Sequence, residues 1–147
     1  MTEHANGLRR PLHPRLIAPA AALLIAALAT DAIYWRTLLF QWNNFSIWLI
    51  TAGLILAALA GLAVLLDAAR RRLGAIAWGR FAGFTVAALL SLLNAFVHTR
   101  DAYTAVVPDG LELSMLVTLI LVVLGWRGWS LRAAPRPYPF KPREVRS

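Results

Sequence analysis

The sequence predicts an all-α fold, an integral membrane four-helix bundle with both termini on the same side. Three observations carry this. The chain of 147 residues is 59% hydrophobic and 15% charged, where a soluble domain has about a quarter of its residues charged. Four apolar runs each approach the ~20 residues needed to cross a hydrocarbon core. The loops between them alternate in charge from one to the next.

The first run, Leu16 to Thr30, is followed by Asp31 and continues towards Leu39, so the expected helix covers 15–39. Pro14 suits its start, because the N–H that proline lacks would be unpaired there. Ala27-Leu28-Ala29 also resembles a signal-peptidase site. The apolar character resuming through Ile33 to Phe40 favours a retained helix over cleavage. No charge occurs from Thr37 to Leu66, which places the second helix at 45–66. The third is expected over 79–101 and the fourth over 111–131, with Arg127 snorkelling to the interface. Residues 1–14 are read as a cytoplasmic segment, and 132–147, holding four of the eight prolines, as an extended cytoplasmic tail.

Orientation comes from charge. Thirteen bases and three acids fall on the side of the termini and the loop after helix 2; two bases (Arg36, Arg100) and four acids (Asp31, Asp101, Asp109, Glu112) fall on the other. The positive-inside rule puts both termini in the cytoplasm of a cell whose inner membrane holds the protein. Tyr34, Trp35, Trp42 and Trp48 near the outer turn, with Trp78, Trp126 and Trp129 near the inner ends, fit an interfacial aromatic belt. The basic residues, fourteen Arg and one Lys, form no stripe or groove, so nucleic acid is not an expected partner; the abundance of Arg and Ala associates with a bacterial source.

Packing is expected through small residues four apart: Gly79, Gly83, Ala87, Ser91 and Ala95 on helix 3; Gly53, Ala57 and Gly61 on helix 2; Ala18, Ala22, Ala26 and Thr30 on helix 1. The same stripes could serve a homodimer.

Chemistry must come from few residues. With no cysteine and three scattered histidines there is no zinc or iron–sulfur pattern. No phosphate loop, nucleophile elbow or paired intramembrane carboxylates appear, and the chain is not expected to be an enzyme on its own. Ser91, Asn94, His98 and Asp101 share one helical face, and Asp31 reaches the same outer level. The candidate outer polar cluster is therefore Asp31, Asn94, His98, Arg100 and Asp101, with Arg36 or Arg100 near its carboxylates. It reads either as a functional site, with His98 a haem ligand, quinol-site proton acceptor or proton relay, or as a network pinning helix 1 to helix 3. A second, inner cluster holds His13, Asp67 and Arg80 beside Arg15; the arginines after helix 2 are the expected ion-pair partners of Asp67. His13 and His98 lie at opposite depths, ~27–30 Å apart at 1.5 Å per residue, and cannot hold one b-type haem within a subunit.

Leu12-His13-Pro14, Asp31, Trp42, Gly61 to Asp67, Asn94 through Tyr103, Gly110-Leu111 with Leu113-Ser114, and Gly125-Trp126-Arg127-Gly128 occur in an order that resembles a bacterial family of small predicted inner-membrane proteins, named as a domain of unknown function. The similarity covers about Leu12 to Leu131. The resemblance implies four helices and a neighbourhood of periplasmic quinoprotein sugar or sorbosone dehydrogenases and cytochromes. It also implies a likeness to cytochrome b-type bundles. The resemblance implies, for many members, a further histidine early in helix 3, where this chain has Trp78-Gly79-Arg80. The expected role is then a membrane anchor or electron-transfer partner of a periplasmic dehydrogenase or cytochrome. The alternatives are a cofactor-free structural or assembly protein and a small transporter or channel.

Overall fold

Helix length and outward apolarity define this structure. The computed structural model describes residues 12–70, 77–100, 106–126 and 128–131. The N-terminal segment with Arg9 and Arg10, then Arg71 and Arg72, Asp101 and Tyr103, Arg127, and the tail 132–147 lie outside the described residues. Four helices run α1 (His13–Thr37), α2 (Phe40–Ala69), α3 (Trp78–Val97) and α4 (Asp109–Gly125). Three of them, α1, α2 and α3, are long and apolar enough to cross a membrane. The fourth has 17 residues, ~25 Å at 1.5 Å per residue. Large apolar side chains such as Trp48, Leu65, Phe96 and Val123 stand exposed on the outer faces, as a hydrocarbon solvent allows.

The element ends depart from the expected bounds for local reasons. Leu38 adopts a left-handed conformation and its N–H donates to Tyr34 O at 2.7 Å. That reverses the chain at once, so α2 begins at Phe40 and not Phe45. At the other end of the chain, α4 stops at Gly125 instead of continuing to Leu131. Gly128, with φ of 87°, turns residues 128–131 back beneath the bundle. Trp129 lies against Gly125, where an added Cβ would come within 2.5 Å of its ring, and packs on Phe84 at 6.0 Å between centroids. Leu131 ends up 2% exposed. We call the end holding α1's start, α2's end and this strap the terminal end, and the opposite one the far end.

The core is built from small side chains, but not all the expected ones. On α1 the buried positions include Ala20, Ala21, Leu24, Ala27 and, of the expected stripe, Thr30, while Ala22 is exposed. On α2 they are Gly53, Ala60 and Ala63, and Gly61 faces open space. On α3, Ala87 and Ser91 are buried and Gly79 is exposed. A four-residue spacing drifts off one face of a 3.6-residue helix, so only part of each stripe can meet a neighbour. Gly53 is the closest approach: a Cβ there would lie 2.7 Å from Leu24 Cδ2 and 3.3 Å from Ala20 O. The mid-depth cluster of Ala21, Leu24, Ala27, Ile50, Ala87, Val117 and Leu121 joins all four helices.

The aromatic residues divide. Trp35, Trp48, Trp78 and Trp126 are exposed, whereas Tyr34 is buried with Val106 and packed by Trp42. Gly53→Val should therefore lower stability by about 1–3 kcal/mol through overpacking against the fixed Leu24. Gly79→Val, with nothing within 4 Å of its Cβ, should change it by well under that; thermal unfolding in detergent compares the two.

Candidate functional site: two buried histidine–aspartate pairs

Each end of the bundle contains a buried carboxylate bonded to a histidine from another helix. At the far end Asp31 of α1, fully buried, faces His98 at the C-cap of α3. Nε2 of His98 donates to Asp31 Oδ1 at 3.0 Å, and Nδ1 donates to Asn94 O at 3.0 Å. The backbone N–H of His98 also donates to Asn94 O at 3.0 Å. The ring thus faces a carbonyl at one nitrogen and a carboxylate at the other, at a helix C-terminus, where positive charge is favoured because the last carbonyls are unpaired. Ser46 of α2 donates to Asp31 Oδ1 and Ser114 of α4 donates to Oδ2. Asn94 Nδ2 donates to Ser114 Oγ at 2.7 Å. The carboxylate thus collects donors from the other three helices, the arrangement a buried anion requires.

At the terminal end Asp67 of α2 faces the start of α1. Its Oδ2 accepts from Leu12 N at 2.8 Å, His13 N at 3.2 Å and His13 Nδ1 at 2.9 Å. The first N–H groups of a helix have no partner within it, and α1 has no side-chain cap of its own. Asp67 supplies that cap from a different helix, where the helix dipole also favours its charge. The histidine here plays a different part. Leu131 N donates to His13 Nε2 at 3.2 Å, so Nε2 is an acceptor and the ring is neutral, with its one hydrogen on Nδ1. Leu131 O in turn accepts from Ala77 N at 2.9 Å. Arg80 Nε donates to Ser130 O at 3.0 Å, and Arg80 also donates to Gly128 O. Strap, α1, α2 and the start of α3 are tied together at one point.

The expected clusters are regrouped by this geometry. Asp31, Asn94 and His98 meet, while Arg100 pairs with Asp109 at 3.2 Å on the exposed surface. Arg36 is exposed, and Asp101 lies outside the described residues. Ser91 stays on the same face but bonds back to Ala87 O at 2.8 Å. Asp67 takes His13 as its partner. Arg70 is exposed at the C-cap of α2. Arg80 serves the strap, and Arg15 is exposed. Sequence reasoning missed Ser46, Ser114 and the strap.

What the arrangement can do chemically is limited by its own completeness. Both nitrogens of His98 and both of His13 are engaged, and both side chains are 0% exposed. Neither offers a lone pair to haem iron in this arrangement, so the residues present do not fit an axial ligand role. Among the described residues no group of three or more His, Cys, Asp or Glu could hold a metal ion. Among the described residues, the buried oxygens Asn43 Oδ1, Asp67 Oδ1, Asn94 Oδ1 and Thr118 Oγ1 have no hydrogen-bond partner.

Removing one member of the far-end pair should cost far more than its share. Asp31→Ala strands the His98 ring and two hydroxyls, and should destabilise by about 3–5 kcal/mol. His98→Ala should do likewise, but the double variant should fall short of the sum by about 1–3 kcal/mol in a denaturation cycle. At the other end, His13→Ala removes the acceptor for Leu131 N, so trypsin should cut at Arg132 faster than in the parent protein.

No curated protein and no solved structure matches the chain. A family model described as a predicted membrane protein, DUF2231, matches residues 9–135. With most of its length covered, including all four helices and both histidine–aspartate pairs, the chain belongs to the DUF2231 family of predicted membrane proteins.

Proposed function

We propose that this membrane protein is a cofactor-free anchor, set in a bacterial inner membrane with both termini in the cytoplasm, that docks a periplasmic redox enzyme at its far end. The observation that carries the reading is the engagement of both ring nitrogens of His13 and of His98. It favours docking over electron transfer, because a bundle that carried haem itself would need ring nitrogens facing an open site. The orientation is supported by the surplus of arginine at the terminal end. A rigid far end suits a docking platform: Asp31, Ser46, His98 and Ser114 fix all four helices there. The redox character of the partner rests on the family resemblance described above.

A purely structural or assembly role without a dedicated partner shares the same geometry and is the second reading. Transport draws less support. The apolar mid-depth cluster lies between the two polar pairs, which are ~27 Å apart along α1 at 1.5 Å per residue.

Reduced-minus-oxidised visible spectra of the detergent-purified protein test the cofactor half. We expect no haem band in the parent or in His98→Ala; a band that disappears in the variant would overturn the reading. Purification from native membranes in mild detergent tests docking. Recovery with a dehydrogenase or cytochrome is expected, and recovery alone would leave the structural reading ahead.

A further inference from the structure

The strap 128–131 is seated on a group that can change its charge. Leu131 N donates to His13 Nε2 at 3.2 Å, and a ring nitrogen accepts only while it carries no hydrogen. The other nitrogen, Nδ1, faces Asp67 Oδ2 at 2.9 Å, an oxygen that also accepts from Leu12 N and His13 N. Nδ1 therefore holds the one ring hydrogen and Nε2 the lone pair. A proton arriving on the ring has a single place to go, the lone pair that Leu131 uses. Two N–H groups would then point at each other in a buried site, where His13 is 0% and Leu131 2% exposed. An unpaired buried donor is costly, and here there would be two.

The charged groups around the ring decide which partner leaves. On α2, Asp67 lies beside Nδ1, so a positive ring meets a carboxylate. On α3, Arg80 is committed to the strap carbonyls of Ser130 and Gly128. Arg15 of α1 and Arg70 at the end of α2 are exposed, and neither the last turn of α4 nor residues 128–131 carry a charge. Protonation thus turns one strap bond into a repulsion while it strengthens the bond to Asp67. From the acceptor role of Nε2 and the burial of the site together, we infer that His13 and the strap form a proton-operated latch. The strap is seated when the ring is neutral and released when it is charged. The released state holds one more proton than the seated one, so release grows as pH falls, in the range of about pH 5 to 8 where histidine changes charge. Release also takes away one wall of an apolar cavity of about 190 Å³, which Leu131 lines together with Ile17, Val64 and Phe84. The medium sensed is the one facing the terminal end, the cytoplasm in the orientation proposed above.

Trp129 reports the strap, since it packs on Phe84 and against Gly125. Fluorine NMR of the full chain in detergent, labelled with fluorotryptophan, follows it from about pH 8 to 5, with Trp129→Phe assigning the signal. We expect the signal to move to a released position as pH falls, the released-to-seated ratio rising by up to about tenfold per pH unit, the limit for one proton. The ring nitrogens of nitrogen-15-labelled His13 should titrate with the same midpoint, and circular dichroism should show unchanged helix content. The rival titrating group is Asp67, whose Oδ1 has no hydrogen-bond partner; a proton there leaves the lone pair on Nε2 and the strap in place. In His13→Gln, whose amide keeps a donor and an acceptor but does not titrate, Trp129 should be independent of pH. A Trp129 signal constant in the parent, a midpoint different from that of the ring, or a pH dependence that survives in His13→Gln would overturn the inference. So would loss of helix in step with Trp129, since acid unfolding would then explain the change. The inference needs neither the docking role nor the orientation, so the spectra and co-purification above can fail while it stands.

Discussion

Two carboxylates that cannot reach water govern this structure. A buried anion is tolerated only when donors surround it, and each aspartate meets that need by recruiting groups from other parts of the bundle. Asp31 draws Ser46, His98 and Ser114 from the three other helices. Asp67 draws the first N–H groups of α1 and the ring of His13. Both also exploit helix termini. Asp67 stands at an N-terminus, where negative charge is favoured, and His98 at a C-terminus, where positive charge is favoured. In hydrocarbon there is no hydrophobic drive between helices, so polar ties at the two ends and close contact at Gly53 define how α1 sits against its neighbours.

The two pairs look alike and differ in one hydrogen. His98 has two donors engaged and makes the far-end pair neutral overall. His13 accepts from Leu131 at Nε2, which leaves the negative charge of Asp67 balanced by helix N–H groups. The difference matters for what the protein does: one histidine neutralises a carboxylate, while the other joins the cap of α1 to the strap that closes the terminal end. Neither ring is presented to a ligand. That is the physical basis of the anchoring role proposed above.

Much of this was legible in the sequence, and the rest was hidden for identifiable reasons. Hydrophobic runs located the helices, because a membrane leaves few other ways to bury a backbone. The shared face of Asn94 and His98 at the depth of Asp31 pointed to the far-end cluster. Ser46 and Ser114 were not found, since a lone serine in an apolar run carries no periodic signature of its partner. The start of α2 was misplaced because a left-handed Leu38 has no glycine or proline to announce it. The strap was taken for helix, as Trp126 to Leu131 is apolar enough to continue one; only Gly128 hinted at the turn. Arg80 lies at the same end as Asp67 but bonds to the strap, since depth does not reveal which way a side chain points around its helix.

The most direct test is the nitrogen-15 spectrum of histidine-labelled protein in lipid bilayers. The account predicts that both ring nitrogens of His98 carry hydrogen, and that His13 carries one, on Nδ1, with a hydrogen-bonded acceptor at Nε2. An unprotonated His98 nitrogen free of any hydrogen bond would contradict it, for the far-end pair would then hold a ligand position in reserve.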